Sequence, residues 1–239
     1  ALLNLSSPYE EDENARTPSG TPLKEHRLNP TSIISLYDTL VTIAEDEDVK
    51  ALVLTANGKY FCNGFDLLWI QQCESASLVD DLQKATELLI SLLLKFPVPT
   101  IAAVNGHACA AGAMLMLAFD KIVMNDERGF CFVPGIDLGL TYSPGMMELM
   151  KCKLPVHMLT DFIVFGKRFD GKSLHENKIC ERANKDLVLP LALEVANGLK
   201  GKSKHRTTMA KIKEVLYHEA IAALECEIDQ ILFNPQFVQ

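Results

Sequence analysis

Two stretches of this sequence place glycines where a β-strand gives way to a helix. The first is Asn57-Gly58-Lys59-Tyr60-Phe61-Cys62-Asn63-Gly64-Phe65-Asp66-Leu67, and the second is Thr100-Ile101-Ala102-Ala103-Val104-Asn105-Gly106-His107-Ala108-Cys109-Ala110-Ala111-Gly112. The first N–H groups of a helix have no intrahelical acceptor, so each junction delivers free backbone donors. Preformed donors of this kind stabilise an oxyanion without any charged side chain. Each stretch taken alone also fits an ordinary turn with close helix–sheet packing. Asp66 is placed to cap the helix that follows the first junction. His107, beside the second, suits packing or a substrate wall better than proton transfer. Trp69, the only tryptophan, fits either an acyl pocket or a half-buried helix face.

The elements that must position these junctions can be read along the chain. Ala1 to Ser6 reads as a short strand, and residues 7–22 as a polar, mobile loop. Asn29-Pro30 opens a helix carrying Ile33, Ile34, Leu36, Tyr37, Leu40, Ile43 and Ala44 at helical spacing. Val49–Thr55, Thr100–Val104, Lys121–Asn125 and Gly129–Val133 are strand-like. Helices are expected over Leu78–Leu94, Ala108–Phe119, Met146–Lys151, Val156–Phe165, Leu187–Gly198 and Thr207–Leu232. Ala108–Phe119 is apolar nearly all round, which places it in the interior. Strands separated by helices imply an α/β fold with a helical C-terminal third, divided near Gly166–Gly171.

Composition narrows the partners. The 239 residues are 48% hydrophobic and 23% charged, with a net charge of −8. That size can bury a full core, and the acidic balance argues against a nucleic-acid binder. The seven cysteines form no CxxC and sit mostly in apolar runs, which suggests a reducing compartment and neither a metal site nor a disulfide framework. Apolar stretches are interrupted by Lys95, His107, Asp120 and prolines, so no transmembrane helix is expected.

The two junctions, together with Asp137-Leu138-Gly139-Leu140 and the tract Glu25-His26-Arg27-Leu28-Asn29-Pro30, resemble the crotonase, or enoyl-CoA hydratase/isomerase, superfamily over about residues 25–168. The Asn63-Gly64-Phe65-Asp66-Leu67 form, with Ala110-Ala111-Gly112 where many relatives carry three glycines, is most similar to the plant peroxisomal Δ3,Δ2-enoyl-CoA isomerases. The resemblance implies a crotonase-like spiral of ββα units over 1–168 and a helical trimerisation region over 169–239. It also implies an oxyanion hole for a thioester carbonyl built from the Phe65 and Ala111 amides. Asn63, Gly64, Asp66, Leu67, Trp69, His107, Ala110 and Gly112 would adjoin the substrate.

The acid–base positions depart from the pattern. Isomerases of this type take a proton from C2 and return it to C4, work suited to a carboxylate raised by burial. The family's usual glutamate position is Gly135, and the second glutamate of hydratases corresponds to Met114. The loss at Met114 argues against hydration, which must activate water. The loss at Gly135 leaves three accounts: an impaired relative that still binds acyl-CoA, a recruited base, or a different crotonase reaction. Asp137 and Glu148 are the nearest carboxylates in sequence, though each also fits a cap or solvated helix residue.

The implied ligand is an acyl-CoA thioester, with coenzyme A as part of the substrate and no separate cofactor. Lys24, Arg27 and Lys59 flank the loops where the family seats the nucleotide. The run Lys200-Gly201-Lys202-Ser203-Lys204-His205-Arg206 could reach a phosphate or simply be a solvated loop. Relatives imply a homotrimer or dimer of trimers and a peroxisomal location, while Asn234 to Gln239 carries no peroxisomal tripeptide.

Overall fold

The structure, a computed structural model, describes residues 1–7 and 25–226. The loop expected over 7–22 lies, Ser7 apart, outside the described residues, as do Lys24 and the end of the last expected helix.

Among the described residues, nine strands form two sheets. The first is parallel, in the order β1 (Leu2–Leu5), β2 (Leu52–Ala56), β4 (Thr100–Val104), β6 (Lys121–Asn125) and β9 (Glu181–Ala183). The second runs β3 (Tyr60–Cys62), β5 (His107–Cys109), β7 (Phe130–Phe132) and β8 (Phe169–Asp170), with β8 antiparallel to β7. Successive turns of the chain repeat one unit: a strand in the first sheet, a corner, a strand in the second sheet, then a helix. This is the spiral of ββα units expected from the sequence.

Stacked corners hold the turns in register. The Asn105 side-chain amide donates to the Gly58 carbonyl at 3.0 Å, and that of Asn125 donates to the Asn105 carbonyl at 2.9 Å. Glycine is required where the corners touch. A Cβ at Gly106 would lie 2.0 Å from the Lys59 carbonyl oxygen, far inside contact distance.

Helices cover both faces at the centre of the first sheet, where β2 and β4 are buried along their whole length. Along β2, Leu52, Leu54 and Ala56 point into the main core, and Val53 points to a smaller cluster with Ala192 and Ala196 of α9 (Val188–Leu199). α1 (Pro30–Glu45) starts at a reciprocal cap in which Asn29 and Ser32 bond each other's backbone N–H. After it come α2 (Leu67–Gln72), α3 (Ala76–Leu94) and α4 (Ala111–Leu117), the last with every residue buried. α5 (Gly135–Leu138), α6 (Pro144–Lys153) and α7 (Val156–Leu159) follow, and α7 continues into a π turn over Thr160–Val164. Beyond these lie α8 (Gly171–Glu176), α10 (Arg206–Leu216) and α11 (His218–Leu224).

Two expectations need correction. The helix expected from Ala108 starts at Ala111, because His107–Cys109 is held as a strand between β3 and β7. The segment after residue 168 is not purely helical: β8 and β9 extend both sheets. A buried cation ties this segment to the core as well. Lys213, 8% exposed, donates to the Phe96 carbonyl at 3.0 Å, the Val98 carbonyl at 3.1 Å and Asp120 Oδ2 at 2.6 Å. Asp120 in turn accepts from the Thr100 amide at the start of β4. Removing one partner of such a pair strands the other charge in the interior. Lys213→Met should therefore lower unfolding stability by about 3 kcal/mol in urea titration, whereas a loss under 1 kcal/mol would show the tie to be dispensable.

Candidate functional site

The two junctions meet across a glycine contact. A Cβ at Gly64 would lie 3.0 Å from Ala110 Cβ, 3.0 Å from the Cys109 carbonyl oxygen and 3.4 Å from the Ala111 nitrogen. Gly112 repays the closeness from the other side, since its Cβ would sit 2.3 Å from the Cys62 carbonyl oxygen. Side chains at either position would force the junctions apart.

The backbone pattern leaves both amides unbonded among the described residues. Leu28 bridges to Phe65: its N–H donates to the Gly64 carbonyl and its own carbonyl accepts from Asp66 N–H, both at 2.9 Å. In a parallel bridge the residue between those two bonds turns its own N–H away. Ala111 is the first residue of α4, where an amide has no intrahelical acceptor. Among the described residues neither amide has a protein acceptor. Phe65, Ala110 and Ala111 line one cleft, completed by Gln83, Met114, Pro134, Gly135, Leu138, Leu140, Thr141, Tyr142, Ser143 and Met146. An anionic oxygen bound between two such donors in a mostly apolar cleft would be stabilised by them.

Gly135 is buried in the cleft wall, and the space of its missing side chain is filled. A Cβ there would fall 2.3 Å from the Tyr142 hydroxyl oxygen. That hydroxyl accepts from Gly135 N–H at 2.8 Å and donates to the Val133 carbonyl at 3.1 Å, closing the loop between α5 and α6. Burial raises the Tyr142 phenol above its usual range, so it stays protonated and acts as a strut. Met114 of α4 presents an apolar thioether to the same cleft.

A carboxylate absent from the sequence reading stands behind the wall. Glu87 of α3 is 5% exposed and accepts hydrogen bonds at Oε1 from Ser143 Oγ and, at 3.3 Å, from Gln83 Nε2. Both donors line the cleft. Burial lifts the Glu87 carboxyl above its ordinary range, opposed by the Ser143 and Gln83 bonds. One signal was available: Glu87 lies among Leu82, Ala85, Thr86, Leu89 and Ile90, on a stretch otherwise destined for the core.

The remaining sequence candidates fall in different places. Asp137 is exposed in the first turn of α5, whose helical form turns it off the face Gly135 presents. Glu148 pairs with Lys151 at 2.6 Å on α6, outside the cleft. Asp66 caps α2 and accepts from Asn29 Nδ2 at 3.3 Å. Trp69 and Leu67 lie on α2, Trp69 packed against the core and Leu67 exposed, and neither lines the cleft. His107 stacks between Tyr60 and Phe130 on the second sheet, and its Nδ1 accepts from Phe130 N–H at 3.1 Å. Burial, then the charges of Lys59, Arg128 and Arg168, lower the His107 pKa, so the ring stays neutral. Lys59 is exposed beside Tyr60. Arg27 is tied to Glu25 at 2.7 Å, and Asn63 Nδ2 donates to the same carboxylate at 3.3 Å. In the C-terminal basic run, Arg206 is spent on the Ala44 and Val49 carbonyls, while Lys200, Lys202 and Lys204 stay exposed.

Comparison with known proteins fits this geometry. A profile of the enoyl-CoA hydratase/isomerase family matches residues 21–235. The chain is similar to the peroxisomal enoyl-CoA delta isomerase 2 of Arabidopsis thaliana, 30% identical over 213 residues, covering 85% of this chain and 88% of that protein. It is also similar to enoyl-CoA delta isomerase 3 of the same plant, 30% identical over 203 residues, covering 82% and 85%. Among solved structures, a probable enoyl-CoA hydratase of Mycobacterium tuberculosis superposes with a TM-score of 0.78 at 27% identity, covering 91% of this chain and 93% of that one.

Ala110 is the strained member of the cleft. Its φ of 50° and ψ of −124° suit glycine, and its N–H is held by the Phe132 carbonyl at 2.9 Å. Ala110→Gly should raise unfolding stability by about 1 kcal/mol in denaturant titration, with no change in the Ala111 amide; an unchanged or lower value would show that the backbone is unstrained there.

Proposed function

The chain belongs to the enoyl-CoA hydratase/isomerase family, and on that premise we propose that it is an enoyl-CoA isomerase. It moves the double bond of a 3-enoyl-CoA to the 2-position. The carrying observation is the pair of unpaired amides, Phe65 and Ala111, in a cleft whose helical wall offers Met114 in place of a second carboxylate. Loss of a C2 proton sends the electron pair into the thioester carbonyl, giving a dienolate. The two amides stabilise its oxygen more strongly than the neutral carbonyl, so they lower the barrier itself. Protonation at C4 completes the shift. Hydration would require a second group to activate water, and the apolar Met114 wall does not supply one.

The CoA nucleotide is assigned to the basic residues Lys24, Arg27 and Lys59 on the strength of the family resemblance. The location is assigned to the peroxisome on the strength of the plant relative. Subunits assemble as trimers or dimers of trimers, which would cover Ile212, Val215 and Leu216, exposed apolar residues of α10. Light scattering should return a mass three or six times that of the chain, and a monomer at micromolar concentration would contradict the assembly.

One observation favours a second reading. The Tyr142 hydroxyl fills the space beside Gly135, so the family's usual base is replaced by a strut, as in a relative that binds acyl-CoA without turning it over. Incubation with 3-enoyl-CoA separates the two. The isomerase reading predicts 2-enoyl-CoA and no 3-hydroxyacyl-CoA. Absence of any product with intact acyl-CoA binding supports the second reading, and accumulation of 3-hydroxyacyl-CoA contradicts the first. Gly135→Glu alone should destabilise the fold by about 1–3 kcal/mol, because its Cβ meets Tyr142. Combined with Tyr142→Ala, it should fold and place a carboxylate in the cleft.

A further inference from the structure

We propose that the proton acceptor of the 1,3-shift is Glu87, which works through the Ser143 hydroxyl. The inference rests on the isomerase reading and assigns it a base. The geometry is specific. Ser143 Oγ accepts the Met146 amide at 3.2 Å as the cap of α6 and donates its own proton to Glu87 Oε1. A hydroxyl has two lone pairs and one proton, so one lone pair of Oγ is left in a residue that lines the cleft. Gln83 Nε2 donates to the same carboxylate oxygen at 3.3 Å and holds its orientation. The buried carboxylate is thus one hydroxyl away from the cavity that holds the two oxyanion donors.

The exchange balances. The C2–H bond breaks, its proton passes to Ser143 Oγ, and the hydroxyl proton moves to Glu87, which becomes a neutral acid. The C–H electron pair enters the thioester carbonyl, whose oxygen is held by the Phe65 and Ala111 amides. In the second half the Glu87 proton returns to Ser143, which gives its proton to C4. The double bond then lies between C2 and C3, and the protein ends in its starting state. Burial favours the neutral acid that this sequence needs midway. Asp137 and Glu148 cannot take this part, the first being exposed on α5 and the second paired with Lys151. Tyr142 has its hydroxyl proton committed to the Val133 carbonyl.

The test uses the full chain with 3-enoyl-CoA in deuterated water. Glu87→Gln keeps an acceptor for the Ser143 hydroxyl but cannot take up a proton. Its melting temperature should equal or exceed that of the wild type, with KM and acyl-CoA affinity unchanged. Its kcat and its rate of deuterium entry at C2 should both fall by about 100-fold or more, the usual worth of a general base. A purely structural Glu87 would leave kcat within a few-fold, and that result overturns the proposal. Should Glu87→Gln fail to fold, Ser143→Ala reads the same relay, and wild-type kcat in that variant overturns it equally. A wild-type chain that binds acyl-CoA yet forms no 2-enoyl-CoA overturns the isomerase reading itself, and the relay falls with it.

Discussion

The close approach of two strand-to-helix junctions is the constraint from which the site follows. Gly64 and Gly112 let two backbones pass where any Cβ would collide, and this brings the Phe65 and Ala111 amides to one cleft. The rest of the spiral serves that contact. The corner asparagines, Asn105 and Asn125, keep successive turns in register, so β3 and β5 arrive side by side and end at the same level. The wholly buried α4 then starts at the junction, where the Ala111 amide and, one turn on, Met114 line the cleft. Backbone donors placed this way need no titratable side chain, which is why an acidic protein can stabilise an anion.

The cleft shows a trade between two ways of filling one space. At Gly135 the side-chain volume is occupied by the hydroxyl of Tyr142, returned there by the loop between α5 and α6. That loop leads directly into Ser143, whose hydroxyl binds Glu87. The same short segment therefore fills the space beside Gly135 and carries the hydroxyl that contacts Glu87 of α3. The two features are one arrangement of the chain.

Much of this was legible in the sequence. β4 and β6 match the apolar runs Thr100–Val104 and Lys121–Asn125, because strands buried on both faces leave an uninterrupted apolar signal. Asn29-Pro30 marked α1, and the two glycine junctions were visible as such. In the second sheet β7 falls within the strand-like run Gly129–Val133, but β3, β5 and β8 carried no such signal. His107–Cys109 has no pattern of its own and is a strand only because β3 and β7 flank it. β8 and β9 are likewise defined by partners far away in the chain. Glu87 lies far from Gly135 in sequence, and the fold brings it to Ser143 at the start of α6 across a separation of 56 positions. Side-chain neighbours of that separation are set by tertiary packing, which no local pattern records.

The central claim is that the Phe65 and Ala111 amides polarise a thioester carbonyl bound in the cleft. Infrared difference spectroscopy of acyl-CoA carrying a 13C-labelled thioester carbonyl reads that directly. The account predicts a carbonyl band shifted to lower frequency on binding, the signature of two hydrogen bonds to the oxygen. A band at the frequency of the free thioester, with the ligand demonstrably bound, would contradict it.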